Sequence, residues 1–132
     1  MVGETDIDKL TASLSPKLID GNYVFCSVEN ACYGDFRDLE PLATFREAEG
    51  LTLVIQKSYA DRYGLRCGSE FRCITLTVHS SLEAVGLTAA VSAKLAEHGI
   101  SANFVAGYYH DHIFVQAERA EQALAAINAL GR

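Results

Sequence analysis

The feature that most constrains this chain is a change of period within one stretch. FRCITLTV, residues 71 to 78, alternates apolar and polar side chains and is rich in β-branched residues. The run HSSLEAVGLTAAVSAKLAEHG that follows carries Leu87, Val91 and Leu95 at helical spacing and stops at Gly99. A strand therefore feeds a helix through a short loop. SANFVAGYY and HIFVQA then make a hairpin, and RAEQALAAINAL sets Ala120, Leu124 and Ile127 on one face of a terminal helix. The order β-α-β-β-α lacks the last strand of a β-α-β-β-α-β unit, since Arg132 follows the helix directly. The sheet edge left open needs a cover, and the first half of the chain is the expected supplier.

That first half is more broken. TDIDKLTASL offers Thr5 as a helix N-cap with Asp8 three residues on, and Pro16 stops the helix. In PKLIDGNYVFCSV, Asp20 and Gly21 stand between two apolar runs, a strong hairpin signal, so strands are expected near residues 17–20 and 23–28. ENACYGDFRDLEP reads as a loop with one helical turn around Phe36 to Leu39. ATFREAEGLTLVIQ predicts a second hairpin around Glu49 and Gly50, and a short helix near residues 59–63 is expected, capped by Ser58 and Asp61 and closed by Gly64.

With 132 residues, 49% of them hydrophobic and 21% charged, the chain can bury a core as one compact body or two small, closely packed ones. A net charge of −6 without a Lys/Arg cluster argues against nucleic acid and anionic membrane surfaces, because phosphate recognition needs concentrated positive charge. No apolar run reaches the roughly 18 residues of a membrane span, and the acidic start MVGETDIDKL lacks signal-peptide character; the expected place of work is the cytoplasm.

Four cysteines, Cys26, Cys32, Cys67 and Cys73, form two C-x5-C spacings without the C-x2-C knuckle of structural zinc. They are expected to be reduced thiols, with Cys26 and Cys73 buried in strand-like runs. In YYHDHIFVQA, His110 and His112 flank Asp111 and invite a metal reading. They fall at the bend of a hairpin, which splays them apart, so an exposed loop tip is expected and no metal. Tyr108, Tyr109 and Phe114 have no basic neighbours to make a base-stacking platform and are read as core or dimer contacts. There is no G-x-S-x-G elbow, dinucleotide glycine fingerprint or metal-ligand spacing, so no catalytic residue and no cofactor is assigned.

ITLTVHSSLEAVGLTAAVSAKLAEHGISA resembles the first strand, loop and helix of an ACT domain, the amino-acid-binding regulatory module of biosynthetic enzymes. Gly86, Leu87, Val91, Leu95, Ala96, Glu97, Gly99 and Ile100 match that pattern in register, Val85 stands where Pro is common, Ser101 replaces a frequent Asn, and the loop is about three residues longer. Together with SPKLIDGNYVFCSV and EGLTLVIQKSYADRYGL, the whole chain looks like small stand-alone bacterial proteins with two ACT-like units. The resemblance implies an α+β, ferredoxin-like βαββαβ sandwich of two packed ACT-like units, residues 1–68 with atypical connectivity and residues 69–132 as an ACT domain. It implies a non-catalytic regulatory or sensor protein, a homodimer, that takes a small molecule, an amino acid, as its ligand.

The ligand site is expected where the loop meets the helix, at His79, Ser80, Ser81, Leu82, Glu83, Val85, Gly86 and Ser101. A helix N-terminus there aims free backbone N–H groups at a ligand carboxylate, and Gly86 lets the ligand approach the backbone. Ser80 and Ser81 can cap the helix or bind ligand, His79 can donate or accept, and Glu83 can pair with an ammonium group. A structural interaction protein with a vestigial pocket, or a small Cys/His enzyme, are the alternatives.

Overall fold

The computed structural model describes residues 14–77 and 86–130. All but the last residue of the expected first helix at residues 5–14, and most of the expected ligand loop, lie outside the described residues. Contacts divide the chain into two compact units, residues 21–71 and a discontinuous one in which residues 14–20 join residues 72–130.

In the discontinuous unit, β5 (Phe71–Leu76) is hydrogen-bonded to β7 (Asp111–Gln116), which pairs antiparallel with β6 (Asn103–Ala106). Helices α2 (Leu87–Glu97) and α3 (Ala120–Leu130) pack with this sheet. Alternation sends Ile74, Leu76, Ile113 and Val115 to one face. Leu87, Val91 and Leu95 from α2 and Ala123 and Ile127 from α3 close over them, each no more than 3% exposed. Gly99 ends α2 in the left-handed conformation, φ 70°.

The open edge of β5 is covered as expected from the first half of the chain. Strand β1 (Pro16–Leu18) pairs antiparallel with β5, Pro16 opposite Leu76 and Leu18 opposite Ile74. Pro16 is tolerable there because it opens an edge strand and is not asked to donate from a missing N–H.

This pairing overturns the hairpin expected at Asp20 and Gly21. Strand β2 (Tyr23–Val28) takes β4 (Gly50–Gln56) as its partner, Val24 opposite Ile55. Gly21 does adopt positive φ, 100°, so the turn chemistry was real. The two apolar runs serve different cores, Leu18 packing with Ile74 and Leu76 while Val24 and Cys26 pack with Leu51, Leu53 and Ile55. Burial in separate cores outweighs the local preference of two adjacent runs to pair.

In residues 21–71, β3 (Ala43–Glu47) forms the expected hairpin with β4, Glu47 opposite Gly50. Gly50 has φ 155°, and a Cβ there would stand 2.7 Å from the Val28 carbonyl oxygen. A 3-10 turn, Arg37–Leu39, appears where one helical turn was expected and buries Leu39 to 1% exposure. Helix α1 (Lys57–Arg62) starts before Ser58, with Gln56 as N-cap and no side-chain cap. The expected Ser58 and Asp61 capping pair is therefore wrong; Asp61 instead accepts from Lys57 Nζ at 2.5 Å, one turn away. The chain enters the helix straight from β4, leaving no residue in which Ser58 could serve as a cap.

Candidate functional site

The periodicity that buries Leu87, Val91 and Leu95 sets the start of α2 at Gly86, whose φ of 102° and ψ of −22° suit a residue without Cβ. Its carbonyl accepts the Ala90 N–H at 2.8 Å, the first hydrogen bond of the helix. The first-turn amides of a helix have no intrahelical acceptor, and Gly86 brings no side chain to cap them. His79, Ser80, Ser81, Leu82, Glu83 and Val85 lie outside the described residues. Ser101 is exposed and follows the other end of α2, an 11-residue helix of about 16 Å, so it and Gly86 stand at opposite ends. The Ser101 N–H donates to Gln116 Oε1 at 3.0 Å, tying it to the end of β7.

The chain leaves β5 next to a small polar cluster. Thr75 Oγ1 and His112 Nδ1 are 3.0 Å apart, joining the end of β5 to the start of β7. Burial lowers the His112 pKa, with His110 pushing the same way and Asp111 opposing, which favours the neutral ring. Burial likewise raises the Asp111 carboxyl, against the pull of His112. His110 is exposed at the tip, and its carbonyl accepts the Gly107 N–H at 2.8 Å. Among the described residues no three His, Cys, Asp or Glu side chains gather to hold a metal. Tyr108 and Tyr109 are exposed and meet edge-on at 5.1 Å, whereas Phe114 is buried. Phe114 thus takes the core alternative; the tyrosines belong to the hairpin tip.

The unit of residues 21–71 carries a second feature, which the sequence showed only as a broken polar loop. An open cleft of about 440 Å³ is lined by Tyr33, Phe36, Arg37, Leu42, Thr44, Leu51 and Leu53, among others. Leu51 and Leu53, buried on β4, form its apolar floor. Tyr33, 78% exposed, and the half-buried Phe36 are its aromatic side chains, and Arg37 is exposed among the lining residues. The cleft thus combines aromatic side chains, an apolar floor and an exposed guanidinium. The only hint in the sequence was Tyr33, Phe36 and Arg37 set among glycine and aspartates in CYGDFRD.

Comparison with known proteins gives the chain relatives. Two family models described as ACT domain match residues 2–73 and 68–129. A solved structure of a Vibrio cholerae protein of unknown function, described as a possible transport protein, is 58% identical; the match covers 95% of each chain, with a TM-score of 0.88. A structural-genomics protein from Agrobacterium tumefaciens, 18% identical over 89% of each chain, superimposes with a TM-score of 0.72. The regulatory subunit of aspartate kinase from Thermus flavus shares the fold at 9% identity and a TM-score of 0.63, over 90% of this chain and 97% of that one. No protein of curated function matches.

Proposed function

The chain belongs to the ACT domain family, with two ACT-type matches along its length, and on that premise we propose that it is a non-catalytic regulatory protein that senses an amino acid. Its two ACT-like units are, along the sequence, residues 1–68 and 69–132, although strand β1 of the first pairs with β5 of the second, and it works as a cytoplasmic homodimer. The observation that carries the reading is Gly86. It opens an 11-residue helix in a conformation few other residues adopt and contributes no side-chain cap, and it lies inside the second ACT match. An α-carboxylate would accept from the first-turn amides of α2, with His79, Ser80, Ser81, Leu82, Glu83 and Val85 as the surrounding loop. Ser101, past the far end of that helix, completes the set only through a partner subunit or a ligand reaching along α2. A purely structural protein would have the same fold without ligand response, and an enzyme would show turnover.

A thermal-shift screen of the twenty amino acids tests this. At a ligand concentration of about a hundred times Kd, selective binding adds roughly 2.7 kcal/mol, a rise of several degrees. Gly86→Val should abolish the response, since a β-branched residue is strained at φ 102°. A folded Gly86→Val protein with the full response would move the site to the cleft above Leu51 and Leu53.

A further inference from the structure

Cys26 and Cys67 are 41 positions apart in sequence yet sit directly across an antiparallel bridge from one another. Such partners hold their Cα atoms about 4.5–5.5 Å apart, inside the range a disulfide spans without backbone movement. Residues directly opposite one another in an antiparallel pair carry their side chains to the same face, so the two thiols stand side by side. All four cysteines are free thiols in this structure. The other two are placed differently: Cys73 is fully buried on β5, and Cys32 is exposed in the loop after β2.

We propose that Cys26 and Cys67 form a reversible redox site that closes to an intramolecular disulfide when the chain meets a low-molecular-weight disulfide such as oxidised glutathione. The roles follow from exposure. Cys67 is half-buried and can reach solvent, whereas Cys26 is 3% exposed. The Cys67 thiolate attacks one glutathione sulfur, expels the other half as reduced glutathione and leaves a mixed disulfide. Cys26 then gives up its proton and attacks Sγ of Cys67, expelling the second glutathione. Two protein thiols become one disulfide as one glutathione disulfide becomes two thiols, a two-electron exchange. Burial raises the Cys26 pKa, in keeping with a thiol that acts second and only on a sulfur already beside it. The loop so closed contains residues 33–53, which carry the whole lining of the cleft in this unit.

The full chain is equilibrated with oxidised and reduced glutathione at stepped ratios, quenched with acid, alkylated with N-ethylmaleimide and mapped by mass spectrometry. The expected product has lost two hydrogens, carries a Cys26 to Cys67 linked peptide, melts roughly 5–10 °C higher and reverts with dithiothreitol. Cys26→Ser should leave a lasting glutathione adduct on Cys67, and Cys67→Ser should remove both the hydrogen loss and the melting shift. Cys73→Ser and Cys32→Ser should change neither. A wild-type product that bears only glutathione adducts, a linked peptide that includes Cys32, or oxidation that persists in Cys67→Ser overturns the proposal.

Discussion

The two units bury their sheets by different means. In the unit built on β5, β6 and β7, two helices of 11 residues each close the core, with Val91, Leu95 and Ile127 fully buried. In residues 21–71 that work falls to a 3-10 turn, a six-residue helix and single side chains such as Leu39 and Ala60. A helix covers a sheet continuously, whereas a turn covers it at a point. The turn-covered unit is therefore the one with a cleft over β4 and with Tyr33, Leu42 and Phe45 exposed. Replacing a long helix by a loop gives up cover and yields a recess.

The contrast predicts unequal tolerance to truncation. Leu95→Ala should cost about 3–5 kcal/mol, because a helix locked by Leu87 and Val91 cannot collapse into the void. Leu39→Ala should cost nearer 2 kcal/mol, since a short turn can settle inward. Urea unfolding of both variants measures this, and equal costs would break the comparison by showing the turn as rigid as the helix.

Gly50→Ala comes next, at about 1–3 kcal/mol, from strain at φ 155° and the clash with the Val28 carbonyl. Hydrogen exchange should localise the loss to β3 and β4. Thr75→Val removes the hydroxyl facing His112 and should cost about 0.5–1.5 kcal/mol. Phe45→Ser, on the exposed edge strand, should stay within about 0.5 kcal/mol of wild type, because that ring is absent from either core cluster.

The smallest effect is one of pH. The folded pKa of His112 lies below its ordinary value of 6.5, so its contribution to stability is complete above pH 6.5 and is lost as pH falls through the folded value. Asp111 has the opposite sign: its folded pKa is above 3.8, so its contribution is complete below pH 3.8 and is lost as pH rises through the folded value. Melting curves from pH 7 to 5 should show a shallow decline that His112→Gln removes, and a decline unchanged in that variant would place its origin elsewhere.

Much of this was legible beforehand. The switch from period two at Phe71–Leu76 to helical spacing at Leu87, Val91 and Leu95, the hairpin of Asn103–Ala106 with Asp111–Gln116, and the terminal helix all rest on signals within a few residues of one another. Gly64 and Gly99 ended their helices because a left-handed residue is needed there and glycine accepts it. The resemblance to ACT domains followed from the same strand, loop and helix.

Tertiary structure decided what depends on partners distant in sequence. Asp20 and Gly21 read as a hairpin, yet the partly buried Leu18 packs against the core that holds Ile74 while Val24 is buried beside Ile55, and the larger gain from filling two cores selected the pairing. Ser58 read as a cap, but the helix began where β4 delivered the chain. His112 read as part of an exposed tip, and only the alignment of β5 with β7 set its ring against Thr75. Two C-x5-C spacings gave no reason to pair Cys26 with Cys67, because that neighbourhood exists only once the chain has folded back across β2. Local pattern determines the period of a segment and where it ends; which segments meet is settled by the apolar surface they bury together, and that quantity is written in no single stretch.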